Sequence, residues 1–214
     1  MDISSNCSIS YASYPADETP DEILTLRYSC YNNEGIIDSN PENIFKDDYD
    51  LDREAYNCCI LNEGVPVSAI RISVLKGDKR YSLSYESFSD VLDPYLDEGK
   101  TIVDPTRFVV CEDAAKFIPD LHLLTLRFPL LALQYFNAEI GLGSVRKKHS
   151  GFYKRVLQGE TICSAREYPG LNVELILMVC NFADNKNSIL SKYPIFQDNG
   201  NEGENLFGNQ FLLA

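Results

Sequence analysis

The sequence predicts one α+β or α/β domain in which helices cover a mixed sheet. Short β-prone runs and segments with helical spacing follow each other in the order helix, three strands, buried helix, strand, helix, strand. A chain of 214 residues can bury a core without disulfide or metal support. With 44% hydrophobic and 24% charged residues, its composition is that of a globular protein.

The first half of the chain predicts a helix followed by a hairpin. Residues 21–31 carry apolar side chains at helical spacing and acidic side chains in the opening turn. A polar, acid-rich loop follows at 32–54. Two apolar runs, 56–61 and 65–75, flank a turn that contains Gly64, which is typical of antiparallel strands.

The middle of the chain predicts a strand and a buried helix. A short helix is a weaker prediction at 87–96, and 101–111 is the clearest strand. Residues 119–140 are apolar on nearly every helical face, so this helix is expected to be buried. Pro129 is expected either to kink the helix or to start it afresh, and Gly141 is placed to end it.

The last part of the domain predicts strand, helix and strand at 144–149, 152–157 and 173–182. Asn and Gly accumulate beyond this point, so the ordered core is expected to end near residue 182. The predicted divisions are a leader at 1–19, one domain at 20–182 and a tail at 183–214.

Composition and charge argue against several classes of protein. A net charge of −13 disfavours nucleic acid as a partner. Polar residues interrupt the apolar stretch 121–140, and no basic segment precedes an apolar run at the N-terminus, so neither a membrane span nor a secretion signal is predicted. Seven cysteines without a Cys-x-x-Cys pair, and only two histidines, predict no disulfide framework and no metal site. We therefore expect a cytoplasmic protein.

A cluster of cations reverses the acidic balance late in the chain. This basic island consists of Arg146, Lys147, Lys148, Lys154 and Arg155. Because salt screens distant charges, such a patch can attract an anionic partner despite the net charge. The alternative is a solvated surface that offsets nearby acids.

Three features carry candidate chemistry. In the first, Asp104 and Arg107 flank Pro105 in the clearest strand, and the proline implies a bulge or a sheet edge. The second is the acidic loop 47–50 ahead of Arg71, and the third is the segment 149–155. The alternatives are an Asp–Arg pair at a strand end, a solvated loop, and a core tyrosine among surface cations.

In this order the features resemble the GNAT-like acyltransferase superfamily, over residues 21–182. More narrowly, they resemble the branch of acyl-homoserine lactone (autoinducer) synthases and N-acyl amino acid synthases. The residues shared with that branch are Arg27, Asp47 to Asp50, Arg71, Asp104, Thr106, Arg107 and Phe108. His149 to Arg155 and Tyr168-Pro169-Gly170 look more like the N-acyl amino acid synthases. The chain lacks tryptophan and has Asp104 where autoinducer synthases use Glu.

The resemblance implies a mostly antiparallel central sheet flanked by helices, and transfer of a long acyl group from a carrier-protein thioester to the amine of an amino acid. It implies no permanently bound cofactor, with acyl-phosphopantetheine as co-substrate. Asp104 is the expected general base, acting directly or through a water molecule, and Tyr153 is the expected general acid. Expected substrate-binding residues are Arg27, Asp48, Asp50, Arg71, Arg107, Phe108, Val109, Val110 and Cys111. Arg71 and Arg107 are candidate partners either for the acceptor carboxylate or for the acidic loop 47–50. Expected carrier-docking residues are Arg146, Lys147, Lys148, His149, Lys154 and Arg155.

Residues 112–119 bear on the acyl donor. CoA-dependent members of the superfamily generally place a glycine-rich loop here to hold the pyrophosphate, but this stretch has no glycine and begins with two acids. An acyl carrier protein is acidic, and the basic island is its candidate docking patch. The alternatives are a CoA-dependent small-molecule N-acetyltransferase, an acyl-homoserine lactone synthase, and a GNAT-shaped binding module without turnover, which a blocked pocket or a core-directed Asp104 and Tyr153 would favour.

Overall fold

The computed structural model describes residues 9–208, in which seven strands form one sheet of order β1-β2-β3-β4-β5-β7-β6. The strands are β1 (Ile9–Pro15), β2 (Tyr56–Asn62), β3 (Val65–Leu75), β4 (Ile102–Val110), β5 (Ile140–Val145), β6 (Glu160–Tyr168) and β7 (Leu171–Asn181). All neighbours are antiparallel except β4 and β5. The predicted mixed, mostly antiparallel sheet is therefore confirmed.

Helices cover both faces of the sheet. They are α1 (Asp21–Asn33), α2 (Leu83–Asp97), α3 (Glu112–Ala115), α4 (Leu121–Tyr135), α5 (Ser150–Leu157), α6 (Phe182–Lys192) and α7 (Glu202–Phe207). Helices α1 and α2 pack on one face, and α4, α6 and α7 pack on the other. Within residues 9–208, no helix is both long enough and apolar enough to cross a membrane.

The two central strands separate soon after they begin. Strand β4 pairs with β5 only at Ile102 with Ile140 and at Val103 with Gly141. Beyond Val103, the β5-facing edge of β4 has no strand partner among the described residues. This divergence opens a gap through the middle of the sheet.

Strand β4 also carries the bulge that its proline predicts. On its other side Thr106 pairs with Arg71 and Val109 with Ala69, so two residues of β4 oppose one residue of β3. Arg107 occupies the left-handed region at φ 54°. Pro105 itself keeps a regular place opposite Ile72, and the bulge follows two residues later.

Several predicted boundaries differ from the structure. Pro129 lies within α4, which runs without a restart to Tyr135 and ends where Asn137 adopts φ 48°. Gly141 therefore does not cap α4 and is instead part of β5. Strand β5 stops at Val145 because residues 147–149 form a 3-10 turn that leads into α5.

The ends of the chain contribute more structure than predicted. Strand β1 lies inside the expected leader, and β6 was not predicted at all. The core continues beyond residue 182, since Ile189, Phe196 and Phe207 are fully buried against α4. Residues 1–8 and 209–214, at the outer ends of the predicted leader and tail, lie outside the described residues.

Candidate functional site

A cavity of about 800 Å³ occupies the gap between β4 and β5. Ser144 and Tyr168 line it from the side of α1 and α2, while Gly143 and Tyr153 line it from the side of α4. The cavity therefore passes through the sheet and reaches both faces. Within residues 9–208, no cluster of His, Cys, Asp and Glu is arranged to hold a metal ion.

The bulged strand forms one wall of this cavity. Three of the predicted substrate-binding residues line it, namely Phe108, Val109 and Val110. Cys111 is absent from the wall, and its backbone N–H donates to the carbonyl of Val67 at 2.9 Å. The Cys111 N–H is thus already occupied and cannot serve a substrate carbonyl.

Asp104, the predicted base, lies beneath the cavity and not in its wall. Its carboxylate is fully buried and accepts from the backbone N–H of Ser84 at 3.2 Å and from the Ser84 hydroxyl at 2.7 Å. Burial raises the pKa of Asp104, and hydrogen bonds from Ser84 and Ser82 oppose that rise. A binding module without turnover was expected to have a blocked pocket, or both Asp104 and Tyr153 directed into the core. The pocket is open and Tyr153 lines it, so only the position of Asp104 agrees with that alternative.

A chain of hydroxyl groups connects Asp104 with the cavity. The Ser84 Oγ lies 2.7 Å from the Oγ of Ser144 and 3.3 Å from the hydroxyl of Tyr168. Both of these residues line the cavity. The buried carboxylate is therefore one serine away from hydroxyl groups that a substrate can reach.

Tyr153, the predicted acid, extends from α5 and lines the cavity opposite Asp104. Burial raises the pKa of its phenol, with a smaller contribution from Tyr31. Its ring packs edge-to-face with that of Phe152 at 5.4 Å between centroids. At neutral pH this phenol keeps its proton, and its place in the cavity wall puts it within reach of a ligand.

Beside the bulge, two aspartates and three arginines form a buried ion-pair cluster. Arg27 binds Asp50 at 2.7 Å, and Arg71 binds Asp47 at 2.7 Å and Asp50 at 3.0 Å. The Nε of Arg107 donates to Asp47 at 2.7 Å. Although burial acts to raise the pKa of Asp50, the charges of Arg27 and Arg71 lower it to about 2.

Only one member of this cluster, Arg107, faces the cavity. Arg27, Asp50 and Arg71 are fully buried outside its wall, so the direct substrate contact predicted for them does not match their positions. Asp48 is exposed at the surface and likewise lies outside the wall. The cluster instead supports the wall through Arg107, which lines the cavity and is bound by Asp47.

Arg107 combines three roles in one side chain. Its Nε is paired with Asp47, its Nη2 donates to the carbonyl of Pro169 at 3.0 Å, and its guanidinium lies over the ring of Phe45. Its Nη1 is buried and has no hydrogen-bond partner among the described residues. A buried donor without a partner is unfavourable, so an acceptor group of a ligand is expected there.

The basic island lies at one mouth of the cavity. Arg146 and Arg155 line the mouth together with His149, and the three lysines of the island are exposed beside them. Arg146 also forms an ion pair with Glu34, which lines the same mouth from the end of α1. Burial and the neighbouring cations Arg146 and Lys148 lower the pKa of His149, so the positive charge there comes from Arg and Lys.

Sequence reasoning missed the serines but did offer the loop 47–50 as a partner for Arg71 and Arg107, and Asp47 binds both arginines. Ser84 and Ser144 are separated by 60 residues, so nothing in the local sequence pairs them. Asp47 had a local signal, because an acid followed three residues later by Asp50 forms the capping box that starts the 3-10 turn Asp48–Leu51.

Comparison with known proteins identifies the family. The family model "N-acyl amino acid synthase FeeM" matches residues 22–181. The structure of FeeM, an N-acyl amino acid synthase from uncultured soil microbes, matches with a TM-score of 0.68 at 16% identity, covering 89% of this chain and 99% of FeeM. No curated protein sequence gives a significant match.

Two acyl-homoserine lactone synthases also share the fold. LasI matches with a TM-score of 0.59 at 15% identity, covering 83% of this chain and 95% of LasI. BjaI, a CoA-dependent acyl-homoserine lactone synthase, matches with a TM-score of 0.58 at 12% identity, covering 86% of this chain and 89% of BjaI. The predicted GNAT-like fold is thereby confirmed. The family match covers most of the chain, and this protein therefore belongs to the FeeM family of N-acyl amino acid synthases, which are acyltransferases.

Proposed function

We propose that the protein transfers a long-chain acyl group from an acyl carrier protein thioester to the amine of an amino acid. Membership of the family supports N-acyl transfer, whereas the donor and acceptor are our proposal. The observation that carries it is the cavity that passes through the sheet between β4 and β5. Two substrates can enter such a cavity from opposite faces and meet at the gap.

The acyl donor enters at the mouth beside the basic island, on the α5 side. There the thioester lies along Phe108 and Val109, and its carbonyl oxygen takes hydrogen bonds from backbone N–H groups at the bulge. The Tyr153 hydroxyl protonates the departing thiolate, a role supported by its place in the cavity wall, and its raised pKa means that the phenol carries a proton at neutral pH.

The acyl tail follows the apolar side of the gap. A void of about 30 Å³ lies behind Pro105 against α4 and shares Leu126 and Tyr153 with the main cavity. Its wall contains leucines, glycines, Met178 and Cys180. Burying methylene groups against this apolar wall contributes roughly 0.8 kcal/mol each, which favours a long chain over acetyl.

The amino acid binds on the α1 and α2 side of the gap, where Tyr31, Arg107 and Tyr168 line the cavity. Arg107 binds its carboxylate through Nη1, the donor that lacks a partner. The amine then points toward Ser144, on the side of the gap nearest to Asp104.

The donor is carrier-bound because the expected pyrophosphate position is acidic. Glu112 lines the cavity where α3 begins, and Asp113 is exposed beside it. A pantetheine arm on a carrier protein places no pyrophosphate there. The exposed lysines of the basic island are well placed for an acidic carrier.

Charge reversal in the island is expected to weaken use of the carrier. The double variant Lys147→Glu/Lys148→Glu raises KM for acyl-carrier protein by about tenfold at low salt and leaves kcat unchanged, because exposed charges act mainly on encounter. Steady-state assays at several salt concentrations measure this effect.

The matched control is Lys76→Glu/Lys186→Glu, which changes the net charge equally at two exposed sites outside the cavity wall. Equal KM increases in both double variants would show a general charge effect and remove the docking assignment.

Mass spectrometry of lipid extracts from cells that overexpress the protein tests the proposed function. N-acyl amino acids are the expected product, and their amount should fall steeply in cells that express the Asp104→Asn variant. With purified protein, acyl-carrier protein should give faster turnover than the matching acyl-CoA. N-acyl homoserine lactones, or no new lipid, would overturn the acceptor assignment, and preference for acyl-CoA would overturn the donor assignment.

A further inference from the structure

We propose that Asp104 takes the proton of the acceptor amine through two serine hydroxyls, those of Ser144 and Ser84. This inference rests on the proposed function and adds two residues to its mechanism. Ser144 is the group that touches the substrate, and Ser84 passes the proton onward. The proton of the amine therefore ends on a carboxylate that is buried below the cavity wall.

The position of Asp104 demands an intermediary. Its side chain is fully buried and is absent from the cavity wall, whereas Ser144 lines the cavity. Between them stands Ser84, also fully buried, with its Oγ 2.7 Å from the Asp104 Oδ1 and 2.7 Å from the Ser144 Oγ. Both distances are those of well-formed hydrogen bonds between oxygens.

The number of hydroxyl hydrogens fixes which group donates in each hydrogen bond between Asp104, Ser84 and Ser144. An ionised carboxylate only accepts, so Ser84 must donate its single hydroxyl hydrogen to Asp104. Ser84 must then accept from Ser144, so the hydroxyl hydrogen of Ser144 points toward Ser84 and away from the cavity. The lone pairs of Ser144 remain available on the cavity side to accept an N–H of the amine.

Proton transfer along this chain balances the acyl transfer. As the amine nitrogen bonds to the thioester carbon, its proton passes to the Ser144 oxygen. The Ser144 hydrogen moves to Ser84, and the Ser84 hydrogen moves to Asp104, which becomes a neutral acid. The carbon–sulfur bond breaks and the thiolate takes the Tyr153 proton. Exchange of one proton with water then restores both Asp104 and Tyr153.

The surroundings of Asp104 suit a base that works in this way. Burial raises its pKa, so the carboxylate has a greater affinity for a proton than an exposed aspartate has. The Tyr168 hydroxyl also reaches Ser84, but at 3.3 Å, which is long for an O–H···O contact. We therefore assign the relay to Ser144 and a supporting contact to Tyr168.

The test is Ser144→Ala assayed with acyl-carrier protein and amino acid across a range of pH. We expect kcat to fall by about 100-fold with KM for the donor unchanged, within the usual range for loss of an acid–base group. The acidic limb of the kcat–pH profile, which reports ionisation of Asp104, should flatten. Ser144→Thr keeps a hydroxyl on the strand and should restore most of kcat and the limb.

Ser68→Ala is the matched control. Ser68 is a buried serine on β3 outside the cavity wall, and its Oγ lies 2.7 Å from the Oγ1 of Thr125 in a hydrogen bond. This variant should keep the wild-type pH profile. Should Ser144→Ala misfold, Ser144→Thr and Ser144→Cys carry the test, because only the threonine retains a hydroxyl.

Two outcomes separate the relay from the function on which it rests. Full activity and an unchanged acidic limb in Ser144→Ala, alongside an inactive Asp104→Asn, would overturn the relay and leave N-acyl transfer intact. No N-acyl amino acid from the wild-type protein with any donor would overturn the proposed function and the relay together.

Discussion

Replacing Asp104 with asparagine is expected to lower kcat for acyl transfer by about 10²- to 10⁴-fold, the range for loss of a general base. Asparagine has the same shape and can still accept the N–H of Ser84, so the wall of the cavity should keep its form. KM for the acyl donor should not change, because Asp104 lies outside the cavity wall. Steady-state kinetics with acyl-carrier protein measure both quantities.

The same variant should be more stable than the wild type at pH 7. Burial raises the pKa of Asp104 in the folded state, so the folded protein binds a proton more readily than the unfolded chain does. The wild type therefore loses stability as the pH rises above the unfolded pKa of about 4, and asparagine avoids that loss. The gain in thermal midpoint should vanish below that pH.

Asp17→Asn is the control, since Asp17 pairs with the exposed Arg53 away from the cavity. It should leave kcat at the wild-type value. Wild-type turnover in Asp104→Asn would remove Asp104 as the base, whatever the stability measurement shows.

The local features of the site could be predicted from sequence because they depend on neighbouring residues. Pro105 within a clear strand predicted the bulge, and the spacing of Asp104 and Arg107 marked the strand that carries it. The helix α1 and the hairpin of β2 and β3 were predicted for the same reason, since apolar periodicity and a turn glycine are local signals.

The remaining features depend on contacts between distant segments. The pairing of Ser84 with Ser144 exists only after α2 packs on the sheet beside β5. Strand β6 is only partly buried along most of its length, and register shifts interrupt its pairing with β7. Its sequence therefore lacks the regular alternation of apolar and polar residues that predicts a strand. The core beyond residue 182 depends on isolated aromatic residues, Phe196 and Phe207, that reach α4.

The ion-pair cluster joins the acidic loop 47–50 to Arg107, the left-handed residue of the bulge. Arg107 holds a left-handed conformation at φ 54°, which costs roughly 1–3 kcal/mol for a residue other than glycine. Asp47 and the carbonyl of Pro169 hold its side chain, and Arg71 holds Asp47 in turn. The loop therefore keeps the bulge in place, and with it the cavity wall along Phe108.

Replacing Asp50, the second aspartate of the ion-pair cluster, is expected to give the largest loss of stability. In Asp50→Asn, Arg27 keeps only neutral partners in a fully buried position, while Arg71 retains Asp47. Leaving a buried charge without its counter-ion costs about 3–5 kcal/mol, so the free energy of unfolding at pH 7 should fall by that amount. Urea denaturation followed by circular dichroism measures the loss.

The pH dependence distinguishes this ion pair from a packing effect. Despite burial, Arg27 and Arg71 lower the pKa of Asp50 to about 2, so its stabilisation is complete above the unfolded pKa of about 4 and is lost as the pH falls through the folded value. The difference between wild type and Asp50→Asn should accordingly narrow between about pH 4 and pH 2. A difference that stays constant down to pH 2 would contradict the ion-pair account.

Two further variants complete the test. Asp48→Asn changes the adjacent, exposed aspartate and should alter stability by no more than about 0.5 kcal/mol. Arg27→Met/Asp50→Leu removes both charges and should recover part of the loss, because apolar groups can replace a buried ion pair without leaving either charge unpaired. Recovered stability together with a kcat below the wild-type value would show that the cluster acts by holding Arg107 and the bulge in position, since neither substituted residue touches the cavity.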